Sequence, residues 1–306
     1  MKILYQGVDI YDSVSVNQCY HDMHAEKHAD ELVIRFNDTR HLWDGWQPKA
    51  DDTIEVVDGA AKTGKMFVES VTPENGLQTL RAYSTPATVR DLRGKSWETV
   101  WLLQLAQEIA MRHGLTLETY EVEDQVYEYI NQPNISDFAF LQQRSTLEGL
   151  GFLVYDGKLV LYGESAMEAQ APAKELVIAA ASTFEYTDNA LAGYGSAEVK
   201  NGGFVGTFTA PNGLSKALTR VLKVQISSQA EADRYAKAIL RDANKNQTTG
   251  VLWANSLMRE YAPGSVITVK TEGAGSWNGP AFVTRLRHDY VKQTSKLFFR
   301  RPLEGY

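Results

Sequence analysis

The sequence predicts an α+β protein that is mainly β, with two strand-rich regions on either side of a smaller region that contains helices. Residues 1–90 consist of short alternating apolar runs separated by turn residues, a pattern typical of strands. Residues 91–165 instead contain apolar residues at helical spacing, and residues 166–306 return to strand patterns with one helix. We therefore expect three domains with these bounds.

The composition argues against several classes of protein. The 306 residues include 31 basic and 38 acidic side chains, for a formal net charge of −7, and 43% are hydrophobic. The hydrophobic content is enough for packed cores. The acidic charge argues against sequence-independent binding of nucleic acid, although ordinary solubility also explains such a charge.

The cysteine content and the apolar runs bear on the compartment. The single cysteine, Cys19, excludes an internal disulfide and favours folding in a reducing compartment. The N-terminal residues lack the pattern of a signal peptide. No apolar run approaches the roughly 20 residues that a membrane-spanning helix needs, so we expect no membrane insertion.

The pattern of residues 1–90 predicts a meander of strands that closes into a sandwich or barrel. Strands are predicted at residues 32–36, 53–57, 65–71 and 77–83. A turn is predicted at residues 73–76, which contain Pro and Gly. A strand at residues 175–179, within the segment 170–182, is a candidate return strand that would complete this first domain.

Residues 59–65, GAAKTGK, fit the phosphate-binding pattern G-x-x-x-x-G-K. That pattern needs Ser or Thr next, to hold Mg²⁺, and then a helix whose N-terminus faces the phosphates. Met66 follows instead, and residues 66–71 have a strand pattern. We therefore predict a hairpin loop and no nucleotide site.

Four histidines lie close together in the sequence: His21, His24, His28 and His41. In a helix the first three would share one face, whereas in a strand His21 and His24 would point to opposite faces. Helix, strand and loop all remain open for this segment. We predict no metal site and place these histidines among exposed polar residues at a subunit contact.

The middle region is predicted to begin with a helix capped by Ser96 and ended by His113-Gly114, with Trp97 and Trp101 one turn apart as packing residues. A strand follows from Leu115. A short helix capped by Ser136 then ends near Gly149 or Gly151. Asp156-Gly157, between two apolar runs, predicts a tight hairpin with a type I′ turn.

The last region is predicted to begin with a connector at residues 164–175 and loops or a hairpin at residues 188–216. A strand at residues 221–226 precedes a capping box, Ser228 to Glu231, that starts a helix. The region is predicted to end with a strand at residues 265–269 and a hairpin formed by residues 282–291 and 297–301.

The residues of the middle region resemble those of the phage late control gene D protein family, the baseplate hub proteins of contractile phage tails. The matching segments are NQPNISDFAFL at residues 131–141, GLGF at 149–152 and DGKLV at 156–160. The hub part of VgrG proteins in type VI secretion is similar. The stretch 131–160 that contains these segments covers about a tenth of the chain.

Further segments agree with this family in order and spacing. They are FND at residues 36–38, WDGW at 43–46, DTIEV at 52–56, IAMRHGL at 109–115, PGSVITV at 263–269 and VTRLRH at 283–288. Asp51-Asp52 replaces a Gly that the family usually has, and residues 164–225 match weakly. The resemblance implies two tube-type β-barrel or sandwich domains with an inserted small α/β domain.

The resemblance also implies a function. A homotrimer of such a chain presents six similar lobes and joins the sixfold tail tube to the threefold central spike. Its partners would be the tail tube, spike, baseplate wedge and tape-measure proteins, with DNA only as passing cargo. The location would be the baseplate of a virion tail, assembled in the cytoplasm of the bacterial host. Trp43 and Trp46 are the candidate subunit contacts because they are aromatic and lie in a loop.

No pattern of catalytic residues accompanies these segments. G-x-S-x-G and H-E-x-x-H are absent from the sequence, and no base partner for Cys19 can be identified. We therefore predict a non-enzyme with no catalytic, cofactor-binding or metal-binding residues and no cofactor.

Two alternatives remain. The first is a tail-associated peptidoglycan-binding protein or cell-wall hydrolase, in which the inserted domain would hold glycans. The second is the hub part of a secretion spike, whose usual form continues into a spike β-helix. The sequence stops at Tyr306, which favours a separate spike subunit.

Overall fold

The computed structural model of the chain describes residues 1–45, 47–273 and 275–306, and only the backbone of Asp44. The prediction of an α+β, mainly β fold is confirmed. The strands are β1 (Lys2–Tyr5), β2 (Val8–Asp9), β3 (Val16–His24), β4 (Glu31–Asn37), β5 (Thr53–Asp58), β6 (Ala61–Lys62), β7 (Met66–Glu74), β8 (Leu77–Tyr83), β9 (Leu92–Trp101), β10 (Thr116–Tyr120), β11 (Val126–Ser136), β12 (Leu150–Tyr155), β13 (Lys158–Gly163), β14 (Lys174–Ile178), β15 (Thr183–Asp188), β16 (Ser196–Asn201), β17 (Phe204–Thr209), β18 (Ala217–Val221), β19 (Thr248–Ala254), β20 (Val266–Thr271), β21 (Gly279–Asp289) and β22 (Thr294–Arg300).

Helices connect or cover these strands. The α-helices are α1 (Leu102–Arg112), α2 (Asp137–Leu147), α3 (Glu164–Glu168) and α4 (Gln229–Asn244). Short 3-10 helices span Tyr11–Ser13, Leu42–Gly45, Ala87–Arg90, Ala190–Ala192 and Gly275–Trp277. No helix of the described chain is long and apolar enough to cross a membrane.

One large sheet of 14 strands combines both ends of the chain. Its main path runs β15-β19-β22-β21-β3-β4-β8-β7-β5-β1-β2, with β20 and β14 branching from β21 and β6 pairing with β5. The four predicted strands of residues 1–90 overlap β4, β5, β7 and β8. The hairpin predicted at residues 59–65 is confirmed, but its turn is limited to Gly59-Ala60, because Ala61 and Lys62 already pair with β5 as β6.

The middle region has its own core, formed where α1 and α2 pack against two small sheets. The predicted helix cap at Ser96 is wrong. Ser96, Trp97 and Trp101 belong to β9, which pairs with β11, and the helix begins only at Leu102. The apolar residues at helical spacing are real but begin later, because pairing with β11 holds residues 92–101 extended.

The local predictions around Asp137 are confirmed. The Ser136 hydroxyl accepts a hydrogen bond from the Ala139 N–H at 3.3 Å and caps α2. Gly149, with φ of +68°, allows the chain to leave the helix. Asp156 and Gly157 have φ of 48° and 75°, as a type I′ turn requires, and join β12 to β13.

Two predictions in the last region are wrong. The strand predicted at residues 221–226 lies earlier, as β18. The candidate return strand, now β14, pairs in parallel with β20 and not with a strand of residues 1–90. The capping box is confirmed: the Ser228 hydroxyl accepts from the Glu231 N–H at 3.1 Å, and α4 begins at Gln229.

Candidate assembly surface

The two ends of the chain form two lobes with the same strand order. The first lobe consists of β1, β3, β4, β5, β7 and β8, and the second lobe of β14, β15, β19, β20, β21 and β22. Within each lobe, strands counted in chain order lie in the sheet as 2-3-6-5-4-1. The last pair of strands differs in direction: β1 and β5 are antiparallel, whereas β14 and β20 are parallel.

An irregularity in the ladder recurs at the same place in both lobes. In the first lobe β7 carries an extra residue, Glu69, against β8; in the second lobe β21 carries an extra residue, Thr284, against β22. Each extra residue lies five positions before the last paired residue of its strand, Glu74 and Asp289 respectively. The bulges therefore provide an alignment of the two lobes that does not depend on sequence similarity.

The buried faces agree with this alignment. Met66 and Val68 of β7 correspond to Ala281 and Val283 of β21, and all four are at most 1% exposed. Leu80 and Ala82 of β8 likewise correspond to Leu297 and Phe299 of β22. The lobes thus share register as well as strand order.

The lobes are joined through β21. The first half of this strand pairs with β20 of its own lobe, whereas residues 285–289 pair with β3 of the first lobe. At this junction His21 lies directly opposite His288. Arg287 donates to the Asp22 carboxylate at 2.7 Å, in a pair of residues that also face each other across the ladder.

The equivalent edges on the far sides of the lobes are open among the described residues. β15, the counterpart of β3, pairs only with β19. β7, the counterpart of β21, pairs with β5 only at Met66 and Phe67, which leaves residues 70–74 with β8 as their sole neighbour. An open strand edge offers unpaired N–H and C=O groups to another chain. We therefore take these two edges as the candidate assembly surface.

A buried ionic cluster fixes the other parts of the chain to the lobe junction. Arg300 of β22, which is fully buried, donates to Glu168 of α3 at 2.7 Å and to Glu26 at 2.5 Å. Lys245, just after α4, contacts Glu164 at 2.6 Å. The cluster consists of three acids and three bases: Glu26, Glu164, Glu168, Arg241, Lys245 and Arg300. Because each base contacts at least one of these acids, the cluster acts as a clamp between α3, α4, β22 and the turn after β3.

Glu26 and Glu164 share a hydrogen bond in this cluster, and their pKa values shift in opposite directions. Burial, together with the Glu26 carboxylate, raises the pKa of Glu164 to about 7. Burial alone would raise the pKa of Glu26 as well, but its hydrogen bond with Glu164 and the charges of Arg300 and Lys245 bring it far below the usual range. Glu26 therefore carries the charge, and Glu164 is the member that takes up a proton.

A cavity of about 430 Å³ lies where the first lobe, the middle region and the loop around Arg259 meet. His288 and Asp30 are both among the residues that line it. The Ser295 hydroxyl is 2.9 Å from His288 Nδ1, but it also accepts the N–H of Met258 at 2.8 Å and is only 5% exposed. Ser295 is therefore a buried structural bridge. Among the described residues no group of three His, Cys, Asp or Glu side chains could hold a metal ion.

Trp43, one of the two predicted subunit contacts, and the first two histidines differ in their surroundings. Trp43 lies in the 3-10 helix Leu42–Gly45, is 8% exposed, and packs against Phe36 with ring centroids 4.3 Å apart. Trp46 lies outside the described residues. His21 and His24 are both in β3, and His21 is fully buried at the lobe junction, so placing His21 among exposed residues was wrong.

Comparison with known structures finds the same architecture elsewhere. The 43 kDa tail protein of prophage MuSo2 from Shewanella oneidensis is similar over 98% of this chain and 97% of its own, with a TM-score of 0.73 and 10% identity. The tail protein from Neisseria meningitidis MC58 is similar over 98% and 95%, with a TM-score of 0.75 and 14% identity. The chain has the fold of phage tail proteins.

A protein of a bacterial secretion system also has a similar fold. An Escherichia coli protein, c3393, is a component of the type VI secretion system with structural similarity to the T4 bacteriophage tail proteins gp27 and gp5. It is similar over 100% of this chain and 79% of its own, with a TM-score of 0.63 and 12% identity. No protein-family model and no curated protein matches the sequence.

Sequence reasoning missed both the lobe junction and the ionic cluster of this phage-tail fold. The segment 164–175 looked like a connector because it is rich in Ala, yet it contributes Glu164 and Glu168 to the cluster. One signal in the sequence did point to a cluster of charges. Arg241, in α4, and Lys245, just after it, are four residues apart and therefore lie on one face. Nothing in the sequence indicated which acids they would meet.

Proposed function

We propose that this chain is a structural baseplate hub of a contractile phage tail or a tail-like particle. It acts as a homotrimer that adapts the sixfold tail tube to the threefold central spike. The observation that carries the proposal is the shared strand order and bulge position of the two lobes. Two similar lobes per chain allow three copies to present six similar units, so a threefold assembly can match a sixfold ring.

The proposal assigns a role to each part of the chain. Residues 1–90 and 166–306 are the two tube-type domains, and residues 91–165 are the inserted α/β domain. The tail tube, the central spike, and the baseplate wedge and tape-measure proteins are the proposed partners, with DNA as passing cargo. The similarity in fold to tail proteins and to a type VI secretion component supports this assignment.

The test is the mass of the purified chain in solution. Light scattering after size-exclusion chromatography at micromolar concentration should give about three times the 34.2-kDa chain mass for the chain alone, or that mass plus the mass of the bound spike once the spike protein is added. An obligate interface of this kind buries more than about 2,000 Å². A chain that stays monomeric with and without the spike would contradict the proposal.

A second measurement separates the hub from a tail-associated cell-wall hydrolase or peptidoglycan binder. Purified cell walls should keep their turbidity when the protein is added, and the protein should remain in the supernatant after sedimentation. Clearing of the suspension would show hydrolysis. Co-sedimentation without clearing would show a glycan-binding protein instead.

A further inference from the structure

We propose that β15 of one copy pairs antiparallel with residues 70–74 of β7 in the next copy. This ladder between chains would repeat the ladder that joins β3 to β21 within the chain. The inference rests on the proposed trimer and adds to it the two edges that meet and their register. It follows from the alignment of the lobes, because β15 corresponds to β3 and β7 corresponds to β21.

The backbone of β15 directs alternate groups to the open edge. The N–H of Asn189 donates to the carbonyl of Gln247 at 2.9 Å, which continues the ladder with β19 by one pair. Bonding alternates along a strand that has one partner on each side. Residue 187 therefore also bonds to β19, whereas Tyr186 and Asp188 direct their N–H and C=O groups outward.

The junction within the chain uses the corresponding groups of β3. Cys19 of β3 corresponds to Phe184 of β15. Cys19 lies opposite the buried Ile34 of β4, and Phe184 lies opposite the buried Leu252 of β19. The carbonyl of Cys19 accepts from the N–H of Tyr290 at 2.9 Å, so this set of β3 groups faces β21. Counting from this pair, Tyr186 corresponds to His21. The groups that β15 leaves free are thus those that β3 uses.

The partner edge on β7 follows from the bulge. Residues 70–74 correspond to residues 285–289, which are the part of β21 that pairs with β3. Val71 then takes the place of Leu286, and Pro73 takes the place of His288. In the resulting register Val71 lies opposite Asp188, and Pro73 lies opposite Tyr186.

The exposure of Tyr186 agrees with a missing neighbour. Tyr186 is 51% exposed, whereas His21, its counterpart at the occupied junction, is fully buried. The Tyr186 ring packs on Trp277 with centroids 5.5 Å apart, so its apolar face already extends the core of the second lobe. A strand added at this edge would cover the exposed part of the ring.

The ladder between chains is built to be weaker than the one within the chain. Pro73 has no N–H, so its pair with Tyr186 retains only the bond from the Tyr186 N–H. Thr72 and Thr187 replace the ion pair of Arg287 and Asp22. Proline at an open edge is a device against uncontrolled strand pairing. The remaining bonds suit copies that meet inside a ring, where other contacts also hold them.

Cysteine cross-linking tests the register directly. The variant Val71→Cys with Asp188→Cys places the two thiols on directly opposed residues, whose Cα atoms lie within disulfide range in an antiparallel pair. Cys19 is fully buried and does not compete. Under mild oxidation most chains should convert to covalent dimers and trimers, because each copy would link to the next around a closed ring.

The matched control shifts the register by one residue. The variant Thr72→Cys with Asp188→Cys puts the two side chains on opposite faces of the sheet and should stay uncrosslinked. A trimeric mass without the Val71–Asp188 cross-link, or with equal linking in the control, would overturn this pairing and leave the trimer standing. A monomeric mass would overturn both.

Discussion

Nζ of Lys245 lies 2.6 Å from Oε1 of Glu164, and the two side chains are 1% and 5% exposed. These residues are far apart in the sequence, yet with Arg300, Arg241, Glu168 and Glu26 they form one set of buried charges. The set joins α3, α4 and β22 to the turn after β3.

Removing one member of this cluster should be costly. Arg300→Met leaves Glu26 and Glu168 without their guanidinium partner in a buried site, and should lower the free energy of unfolding by about 3–5 kcal/mol. Lys158→Met is the control, since it breaks an ion pair of similar length with Glu118 whose side chains are 47% and 34% exposed. That control should cost at most about 1 kcal/mol. Urea unfolding followed by circular dichroism measures both, and equal losses would show that the cluster is not a clamp.

Stability should depend on pH through His21. Burial, with a smaller contribution from His288, lowers the pKa of His21 to about 3, against about 6.5 in an unfolded chain. Acidification therefore protonates the unfolded state first, so stability that is fully present above pH 6.5 is lost as pH falls towards 3. His21→Leu removes this titration.

The measurement is the difference in unfolding free energy between His21→Leu and the unchanged chain at several pH values. Between pH 6.5 and 4 the difference should move in favour of the variant by up to about 1.4 kcal/mol per pH unit. His28→Leu, at an exposed position in the turn after β3, is the matched control. A pH-independent difference for His21→Leu would mean that His21 takes up a proton as readily in the folded chain as in the unfolded chain.

Gly206 should be indispensable for the contact of β17 with α4. A Cβ atom at this position would lie 2.0 Å from the carbonyl oxygen of Ala232, and backbone cannot rotate away as a side chain can. Gly206→Ala should lower stability by at least about 1–3 kcal/mol. Gly203→Ala in the preceding turn meets nothing within 4 Å and should be nearly neutral. Thermal unfolding of the two variants would decide, and a neutral Gly206→Ala would contradict the packing of α4.

Trp43 should behave as a core residue of a single chain. Trp43→Ala removes a ring that packs on Phe36 and should cost about 3–5 kcal/mol. Trp101→Ala is the comparison, because Trp101 is 49% exposed and should cost far less. If Trp43 contributed mainly to subunit contacts, its substitution would instead shift the trimer–monomer midpoint and leave Tm of the monomer unchanged. Light scattering and calorimetry distinguish the two outcomes.

Local signals in the sequence predicted local structure well. Ser136 and Ser228 are followed by helices because a hydroxyl at that position accepts an otherwise unpaired backbone N–H. Asp156-Gly157 predicted its hairpin because few residues tolerate the positive φ angles of that turn. The helix cap predicted at Ser96 was wrong because it also rested on neighbouring residues alone. Pairing with β11 keeps residues 92–101 extended, so the helix begins only at Leu102.

What the sequence by itself determined is the mainly β class and most of the individual strands, helices and turns, since these depend on neighbouring residues. The tertiary structure alone decided that β14 joins β20, that β3 meets β21, and that Lys245 meets Glu164. Such pairings are long-range, and many strands could satisfy an unpaired edge equally well from pattern alone. The pairing that forms is selected by the packing of both lobes against the shared strand β21. The equivalence of the two lobes can be recognised only from that arrangement.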